Sequence, residues 1–225
     1  MLSPIDVEDV ANRSATLVLM STENNTASTS MGVAGLRLNT LRICLARLST
    51  ARLNAQAGLI ADALISLALL GAGFWHSEFG VATAVATIFC GLILFSLVEY
   101  VFHRWLFHGY VGLMAQGHRQ HHEDPAGYDA LPFFMPPLAM LALAGVLAAF
   151  APTRIALLLS GALAAGYAAY GLAHTAIHRK RFEQPLVRRW AANHHIHHHH
   201  PDRNFGVTTP FWDIVLGTRH VPARR

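Results

Sequence analysis

Histidine is the residue type in this sequence with the most chemistry to offer, and it is concentrated in a few short stretches. The chain has 15 histidines among 225 residues. Thirteen of them fall into four groups, within 103–108, 118–122, 174–178 and 194–200. Neutral imidazole is a ligand for zinc, copper, iron and nickel. The four groups therefore predict a metal centre, provided that the fold brings them together.

The two middle groups have the spacing of helical chelating units. His118, His121 and His122 are offset by three and four residues, which places them on one face of a helix. His174 and His178 form an i, i+4 pair, which can hold a single ion from one helix. Both groups are expected to contribute metal ligands.

For the first and last groups, the spacing does not decide which histidines bind which ion. His103 and His108 are five residues apart, so on a straight α-helix they point about 140° away from each other. On that geometry each would serve a different ion. The tail HHIHHHH fits an HxxHH pattern in two registers, His194, His197 and His198 or His195, His198 and His199.

The number and type of ligands favour two ions over a structural zinc site. Structural zinc sites hold four ligands and usually include thiolates. Cys44 and Cys90 are the only cysteines, and neither lies within a histidine group. About ten histidines suffice for two ions with about five neutral ligands each.

The elements that must position these groups are predicted to be membrane helices. The chain is 53% hydrophobic and 13% charged, with a mean hydropathy of +0.34. Four apolar runs of about 20 residues can each cross ~30 Å of hydrocarbon. They cover about 57–75, 80–100, 131–150 and 153–173. The expected fold is an all-α integral membrane protein, with four transmembrane helices in two hairpins and a cytoplasmic His-rich helical cap around a di-metal site. The alternative is a soluble bundle of long buried helices.

The basic residues predict the orientation of these spans. Sixteen of the 17 Lys and Arg residues lie before 57, within 101–130 or after 173, and only Arg154 lies on the other face. The positive-inside rule makes the basic face, with both termini and the histidine groups, cytoplasmic. No basic stripe interleaved with aromatic residues is present, so no nucleic-acid partner is expected.

The segment before the first span divides into two parts. Residues 1–35 are polar and predicted to be disordered. Over 36–56, arginines alternate with apolar residues, which favours an amphipathic helix in the headgroup layer. An unstructured linker is the alternative for this second part. Residues 57–225 form the predicted membrane domain.

Five stretches together resemble a known family. They are EYVFHRWLFH (99–108), HRQHH (118–122), HTAIH (174–178), HHIHH (194–198) and NFGVTTPFWDIVLGT (204–218). In order and spacing they resemble the membrane fatty acid hydroxylase/sterol desaturase superfamily, and most nearly its fatty acid 2-hydroxylase type. The resemblance extends from about Glu99 to Thr218, over half of the chain.

The resemblance implies an integral-membrane di-iron oxygenase and a set of ten ligands. The distance from the tail to the N-F-G motif favours the first of the two registers. One ion would then take His103, His118, His121, His194 and His197. The other would take His108, His122, His174, His178 and His198. No catalytic group is expected beyond these metal ligands.

The implied activity is hydroxylation of a membrane lipid's acyl chain, with O2 as co-substrate and two iron ions, which zinc can replace in purified protein. No fused cytochrome b5 domain is expected, and electrons are expected to come from a separate cytochrome b5-like or ferredoxin-like donor. A sterol or carotenoid hydroxylase or desaturase is the alternative. A non-catalytic metal-handling membrane protein is more remote, because Asp62 and Glu99 are the only acidic residues within the predicted spans.

Several residues around the ligands have two interpretations. Fatty acid 2-hydroxylases often carry an acidic residue where this chain has Gly171, so Asp129, Asp202 or Asp213 is a candidate to orient an imidazole instead. Asn204 and Asp213 are candidates for supporting the ligands or for forming a turn. Some aromatic residues either line an acyl entrance or pack in the core: Trp105, Phe107, Phe133, Phe134, Phe211 and Trp212.

Overall fold

The computed structural model is all-helical over the residues that it describes, 33–75, 80–109 and 112–221. One π-helical segment continues a long α-helix. The elements are α1 (Val33–Ser49), α2 (Arg52–Trp75), α3 (Val81–Val101), the π-helical segment (Phe102–Phe107), α4 (Leu113–Glu123), α5 (Met135–Ala148), α6 (Thr153–Arg179), α7 (Pro185–His199) and α8 (Phe211–Val215). The predicted all-α class is confirmed for this part of the chain.

Among the described residues, three helices are long and apolar enough to cross a membrane. They are α2, α3 together with the π-helical segment, and α6, with 24, 27 and 27 residues. At 1.5 Å per residue, 24 residues extend about 36 Å, more than the ~30 Å of a hydrocarbon core. They match the first, second and fourth predicted spans. The second and fourth extend further than predicted, to Phe107 and Arg179, so His103 in the second and His174 and His178 in the fourth lie beyond the apolar parts.

The third predicted span is a shorter helix. Residues 131–150 were expected to cross the membrane, but α5 has 14 residues and extends only about 21 Å. Pro136 and Pro137 lie in its first turn, where proline is tolerated, and they fix its start. Helix α6 starts at Thr153, immediately after Pro152. The four-span arrangement is therefore not confirmed.

Helix α6 is the centre of the helix packing, because α2, α3 and α5 all pack against it. Small residues allow the close approach, as is common between membrane helices. A Cβ atom added at Gly91 of α3 would lie 2.6 Å from the Cβ of Ala162, and one at Gly166 would lie 2.3 Å from the ring of Phe95. This packing fixes the end of α6, from which His174 and His178 project.

The segment before the first span differs in its boundaries from the prediction. Helix α1 ends at Ser49, and α2 begins at Arg52. Residues 52–56, assigned to an interfacial helix over 36–56, therefore belong to the first long helix. The predicted disorder over 1–35 lies outside the described residues except for its last three, where α1 has begun. Placement of α1 in the headgroup layer stays a prediction.

Asn54 connects the start of α2 to the turn before α5. Its side-chain amide donates to the carbonyl of Leu131 (3.0 Å), and its side-chain oxygen accepts from the backbone N–H of Phe133 (2.9 Å). Asn54 is 3% exposed, so water cannot replace these bonds. Asn54→Leu keeps the size of the side chain and leaves two backbone groups unsatisfied. We expect it to destabilise the protein by about 2–4 kcal/mol.

Thermal unfolding in detergent measures this change, with Gln56→Leu on the exposed side of the same helix as the matched control. An Asn54→Leu protein that melts with the control would show that Asn54 does not hold the turn.

Candidate metal centre

Four helical segments deliver the ten predicted ligands to one place. The π-helical segment and the residue after it carry the first group, α4 the second, the end of α6 the third and α7 the fourth. Rings from different segments are in contact: the ring centroids of His103 and His197 are 4.4 Å apart, as are those of His121 and His174. The four motifs thus converge, as the spacing argument requires.

Five of the imidazoles form a compact set that we call the first imidazole group. Its ligand nitrogens all lie within 4.8 Å of one another. The Nε2 atom of His118 lies 3.0 Å from that of His103, 3.0 Å from that of His108 and 3.1 Å from that of His122. The members are His103, His108, His118, His122 and His197.

The other five form the second imidazole group, directly beside the first. His121, His174, His178 and His194 have their ligand nitrogens within 4.8 Å of one another. His198 joins them, since its Nε2 lies 3.2 Å from that of His194. The ring of His198 also stacks on His122 of the first group at 4.4 Å. The two groups therefore share a boundary, which suits a pair of neighbouring ions.

The angular argument that separated His103 from His108 is wrong, because the helix is not straight α-helix there. Phe102–Phe107 is π-helical, and the backbone N–H of His108 donates to the carbonyl of His103 (3.3 Å), five residues earlier. An i→i+5 bond brings residues five apart above one another. Both side chains consequently face the first imidazole group.

The two groups also differ from the division of ligands that the family resemblance implies. By distance, His108 and His122 lie with the first group, and His121 and His194 lie with the second. The set of ten residues is the same in both descriptions. Which nitrogen binds which ion stays a prediction.

Helix α7 distinguishes between the two registers of the tail. It buries His194 and His197, and His198 is half-buried beside them. His195 and His199 lie on its exposed face. The histidines of the first register therefore face the centre, whereas His195 and His199 of the second register do not.

Backbone carbonyls orient two of the imidazoles. The Nδ1–H of His103 donates to the carbonyl of Phe205, and the Nδ1–H of His197 donates to that of Arg203 (2.7 Å). A carbonyl only accepts, so the proton of each neutral ring must be on Nδ1. This leaves the Nε2 lone pair facing the first imidazole group, where a metal ion would bind it.

Burial keeps the imidazoles in the form that binds metals. Burial, with the neighbouring His122, lowers the pKa of His108 to about 4. Burial, with His178 and other imidazoles, lowers the pKa of His121 to about 3. Burial also lowers the pKa of His197 to about 3, despite its bond to the Arg203 carbonyl. These rings are therefore neutral at pH 7, as metal coordination requires.

The residues present fit a metal pair. The Nε2 atoms of His121 and His174 are buried and have no hydrogen-bond partner. A buried polar atom without a partner is costly, and a metal ion would satisfy both. All ten donors are imidazole nitrogens, which suit iron, zinc, copper or nickel better than the hard cations calcium and magnesium.

A carboxylate in α3 was missed as part of the support around the ligands. Glu99 was noted only as an ionisable residue within a span, yet it contacts the loop after α7. Its partners are more than 100 residues away, so no local pattern indicated them. Asn204 in the same loop and Asp213 in α8, both proposed as supporting or turn residues, are fully buried. Asp202 is exposed and pairs with Arg203 (3.3 Å).

Of the six aromatic residues considered for an acyl entrance, one contacts a predicted ligand, one packs between helices and four are exposed. The ring of Phe107 lies 5.4 Å from that of His118. Trp212 donates from its indole N–H to the hydroxyl of Ser96 (3.0 Å), which fixes α8 against α3. Four others are largely exposed at the surface: Trp105, Phe133, Phe134 and Phe211.

Comparisons with known proteins identify the architecture. The model of the fatty acid hydroxylase family matches residues 88–218, which include all ten histidines. A dihydroceramide fatty acyl 2-hydroxylase of Arabidopsis thaliana is 31% identical over 60% of this chain and 60% of its own length. A ceramide very long chain fatty acid hydroxylase of Schizosaccharomyces pombe is 32% identical over 65% of this chain and 46% of its own length. The chain spans less than two thirds of either relative.

A solved structure has the same fold. It is described as full-length scs7p with only the hydroxylase domain visible. The TM-score is 0.67 at 22% identity, and the alignment covers 79% of this chain and 70% of the other. The helical arrangement described above is therefore one that a solved hydroxylase domain adopts.

Proposed function

Because the chain belongs to the fatty acid hydroxylase family, we propose that it hydroxylates the acyl chain of a membrane lipid, using a pair of iron ions and O2. One observation carries this proposal: ten neutral imidazoles from four distant motifs form two adjoining groups. Fatty acid and ceramide hydroxylation is what the names of the relatives state, and the fit of the imidazoles to metals supports extending it to this chain.

The ten histidines would hold the metal pair between them. When bound, the pair supplies the redox chemistry that activates O2 for attack on an unactivated C–H bond. The protein's own residues position the imidazoles, keep their Nε2 atoms unprotonated and surround them with apolar and aromatic groups. The ring of Phe205 lies 5.9 Å from that of His103 and 5.7 Å from that of His108. Such packing limits the access of water to the ligands.

We infer that the lipid approaches through an open cleft beside His108. Trp105 lies in this cleft and is 55% exposed, so it offers an apolar surface to an acyl chain. The guanidinium of Arg104 lies 5.0 Å from the Trp105 ring, and its charge would attract an anionic or polar lipid headgroup. The cleft is lined by Arg104, Trp105, His108, Pro201, Asp202 and Phe205.

We further propose four membrane crossings with the centre on the cytoplasmic side. Helix α5 is apolar and packs along α6, which supports a second hairpin, with local thinning of the bilayer around the shorter helix. The distribution of the basic residues, with Arg154 alone on the opposite face, supports the orientation.

A separate electron donor would deliver electrons at this cytoplasmic face. Lys180, Arg181, Arg188 and Arg189 are exposed between the third and fourth histidine groups. A cytochrome b5-like or ferredoxin-like carrier with an acidic surface would be attracted to them.

Lipid analysis of cells that express the protein tests the proposed activity. We expect a hydroxylated acyl lipid that is absent from cells expressing His121→Ala, in which a buried ligand is lost. Hydroxylation increases the mass by one oxygen atom, whereas desaturation removes two hydrogen atoms. A new double bond would replace the proposal by a desaturase, and an altered sterol or carotenoid would change the substrate class. Unchanged lipids, with both proteins expressed equally, would contradict it.

A further inference from the structure

The end of α3 and the π-helical segment after it form hydrogen bonds with the C-terminal segment 205–218 at three points. Glu99, Tyr100 and His103 lie within about one turn of each other, and each bonds to a residue between Phe205 and Thr218. This segment consists of the end of the loop that joins α7 to α8, α8 itself and the residues that follow it. A transmembrane helix and a segment more than 100 residues away are therefore fixed to each other directly beside the first imidazole group.

Glu99 accepts hydrogen bonds from residues 207 and 208 of the loop before α8. Its Oε1 accepts from the backbone N–H groups of Val207 (2.6 Å) and Thr208 (2.9 Å), and its Oε2 accepts from the Thr208 hydroxyl. The side chain is 6% exposed. Burying a carboxylate is costly unless hydrogen bonds satisfy it, and both of its oxygens are satisfied here.

Asp213, in α8, accepts hydrogen bonds from residues 205 and 206 of the same loop. Its Oδ1 accepts from the backbone N–H of Phe205 (2.8 Å) and from the Thr218 hydroxyl (2.7 Å), and its Oδ2 accepts from the N–H of Gly206 (2.8 Å). Asp213 is fully buried. The two carboxylates thus accept from four consecutive backbone N–H groups, those of residues 205–208.

Residues 205–208 include Phe205, whose carbonyl orients the predicted ligand His103. Phe205 donates its N–H to Asp213 and accepts from the Nδ1–H of His103 through its carbonyl. Any shift of the loop moves this carbonyl relative to the ring. The hydroxyl groups of Tyr100 and Thr218, 3.0 Å apart, connect the two sides of the arrangement.

We propose that Glu99 and Asp213 are positioning residues for the metal pair: they hold the 205–208 loop so that the Phe205 carbonyl keeps the Nε2 of His103 unprotonated and aimed at the ion. This inference rests on the proposed function, since it presumes a metal pair in the imidazole groups. Charged acceptors form stronger bonds to N–H groups than neutral acceptors do. An amide in place of either carboxylate would therefore loosen the loop without emptying the space.

The test compares Glu99→Gln with Asp62→Asn, a change of the same kind at an equally exposed (6%) carboxylate in α2 that lies outside the loop. The full chain is purified with each change and loaded with cobalt(II), whose visible absorption reports the ligand geometry. For Glu99→Gln we expect metal affinity to fall about tenfold, the lower end for residues that support ligands. We also expect an altered cobalt spectrum, and a lower melting temperature of the metal-free protein because the buried loop loses charge-assisted hydrogen bonds. Asp62→Asn should match the wild type in all three measurements.

A Glu99→Gln protein with wild-type affinity and spectrum would overturn the inference and leave the proposed function intact. A wild-type chain that binds no metal pair would instead overturn the proposed function, and the inference with it. If Glu99→Gln does not fold, Thr208→Val carries the same test, because it removes only the hydroxyl bonded to Oε2. An unaltered cobalt spectrum in Thr208→Val would then overturn the inference.

Discussion

Replacing His174 with alanine is expected to remove at least one metal ion per chain and to lower lipid hydroxylation by more than about 100-fold. Changes to groups that merely support a ligand already cost 10–100-fold, and His174 is itself a predicted ligand. Its Nε2 is buried without a hydrogen-bond partner, and its ring lies 4.4 Å from that of His121 and 4.9 Å from that of His194.

Metal analysis of the purified protein and quantification of the hydroxylated lipid measure this effect. The matched control is His199→Ala, which removes an imidazole from the exposed face of α7 and should change neither value. Equal losses in both variants would mean that the chain binds metals loosely through any of its histidines. An active His174→Ala protein with two ions would remove His174 from the site.

Replacing Gly206 with alanine is expected to destabilise the protein by about 2–3 kcal/mol and to release metal from the first imidazole group. The added Cβ would lie 2.0 Å from the backbone oxygen of Thr209 and 3.1 Å from Oδ2 of Asp213. A backbone atom cannot give way as a flexible side chain can, so the loop must move. The movement includes Phe205, whose carbonyl orients His103.

Gly145→Ala in α5 is the control for this change, because nothing lies within 4 Å of the added methyl group. Alanine also favours helix over glycine by about 1 kcal/mol, so this variant should be as stable as the wild type or slightly more so. Thermal unfolding and metal content distinguish the two. Unaltered melting and metal content in Gly206→Ala would show that the loop has more room than the structure indicates.

Periodicity predicted part of the site that lies on regular helices. On α7, offsets of three and four residues fit two registers, and only the resemblance to the family favoured His194, His197 and His198, which face the centre while His195 and His199 are exposed. The same offsets placed His118, His121 and His122 of α4 at one centre. Pro136 and Pro137 also indicated that α5 starts later than residue 131, although the apolar run around them predicted a longer span.

Features that depend on tertiary contacts or on local departures from the α-helix could not be predicted. The π-helical turn brings His103 and His108 to the same group, and the spacing of five residues favoured the opposite result on an α-helix. The role of Glu99 arises from bonds to Val207 and Thr208. These hydrogen bonds form only when α3 packs against the C-terminal segment, so no local sequence pattern predicts them.

Metal content combined with X-ray absorption at the iron edge tests the central claim most directly. The purified full chain, loaded with iron(II), should hold two ions per chain. The absorption should fit about five nitrogen neighbours per ion, at the roughly 2.0–2.2 Å typical of imidazole ligation, and no sulfur. One ion or fewer per chain, or a shell made mainly of water oxygen, would contradict the account that these ten histidines form a di-metal centre.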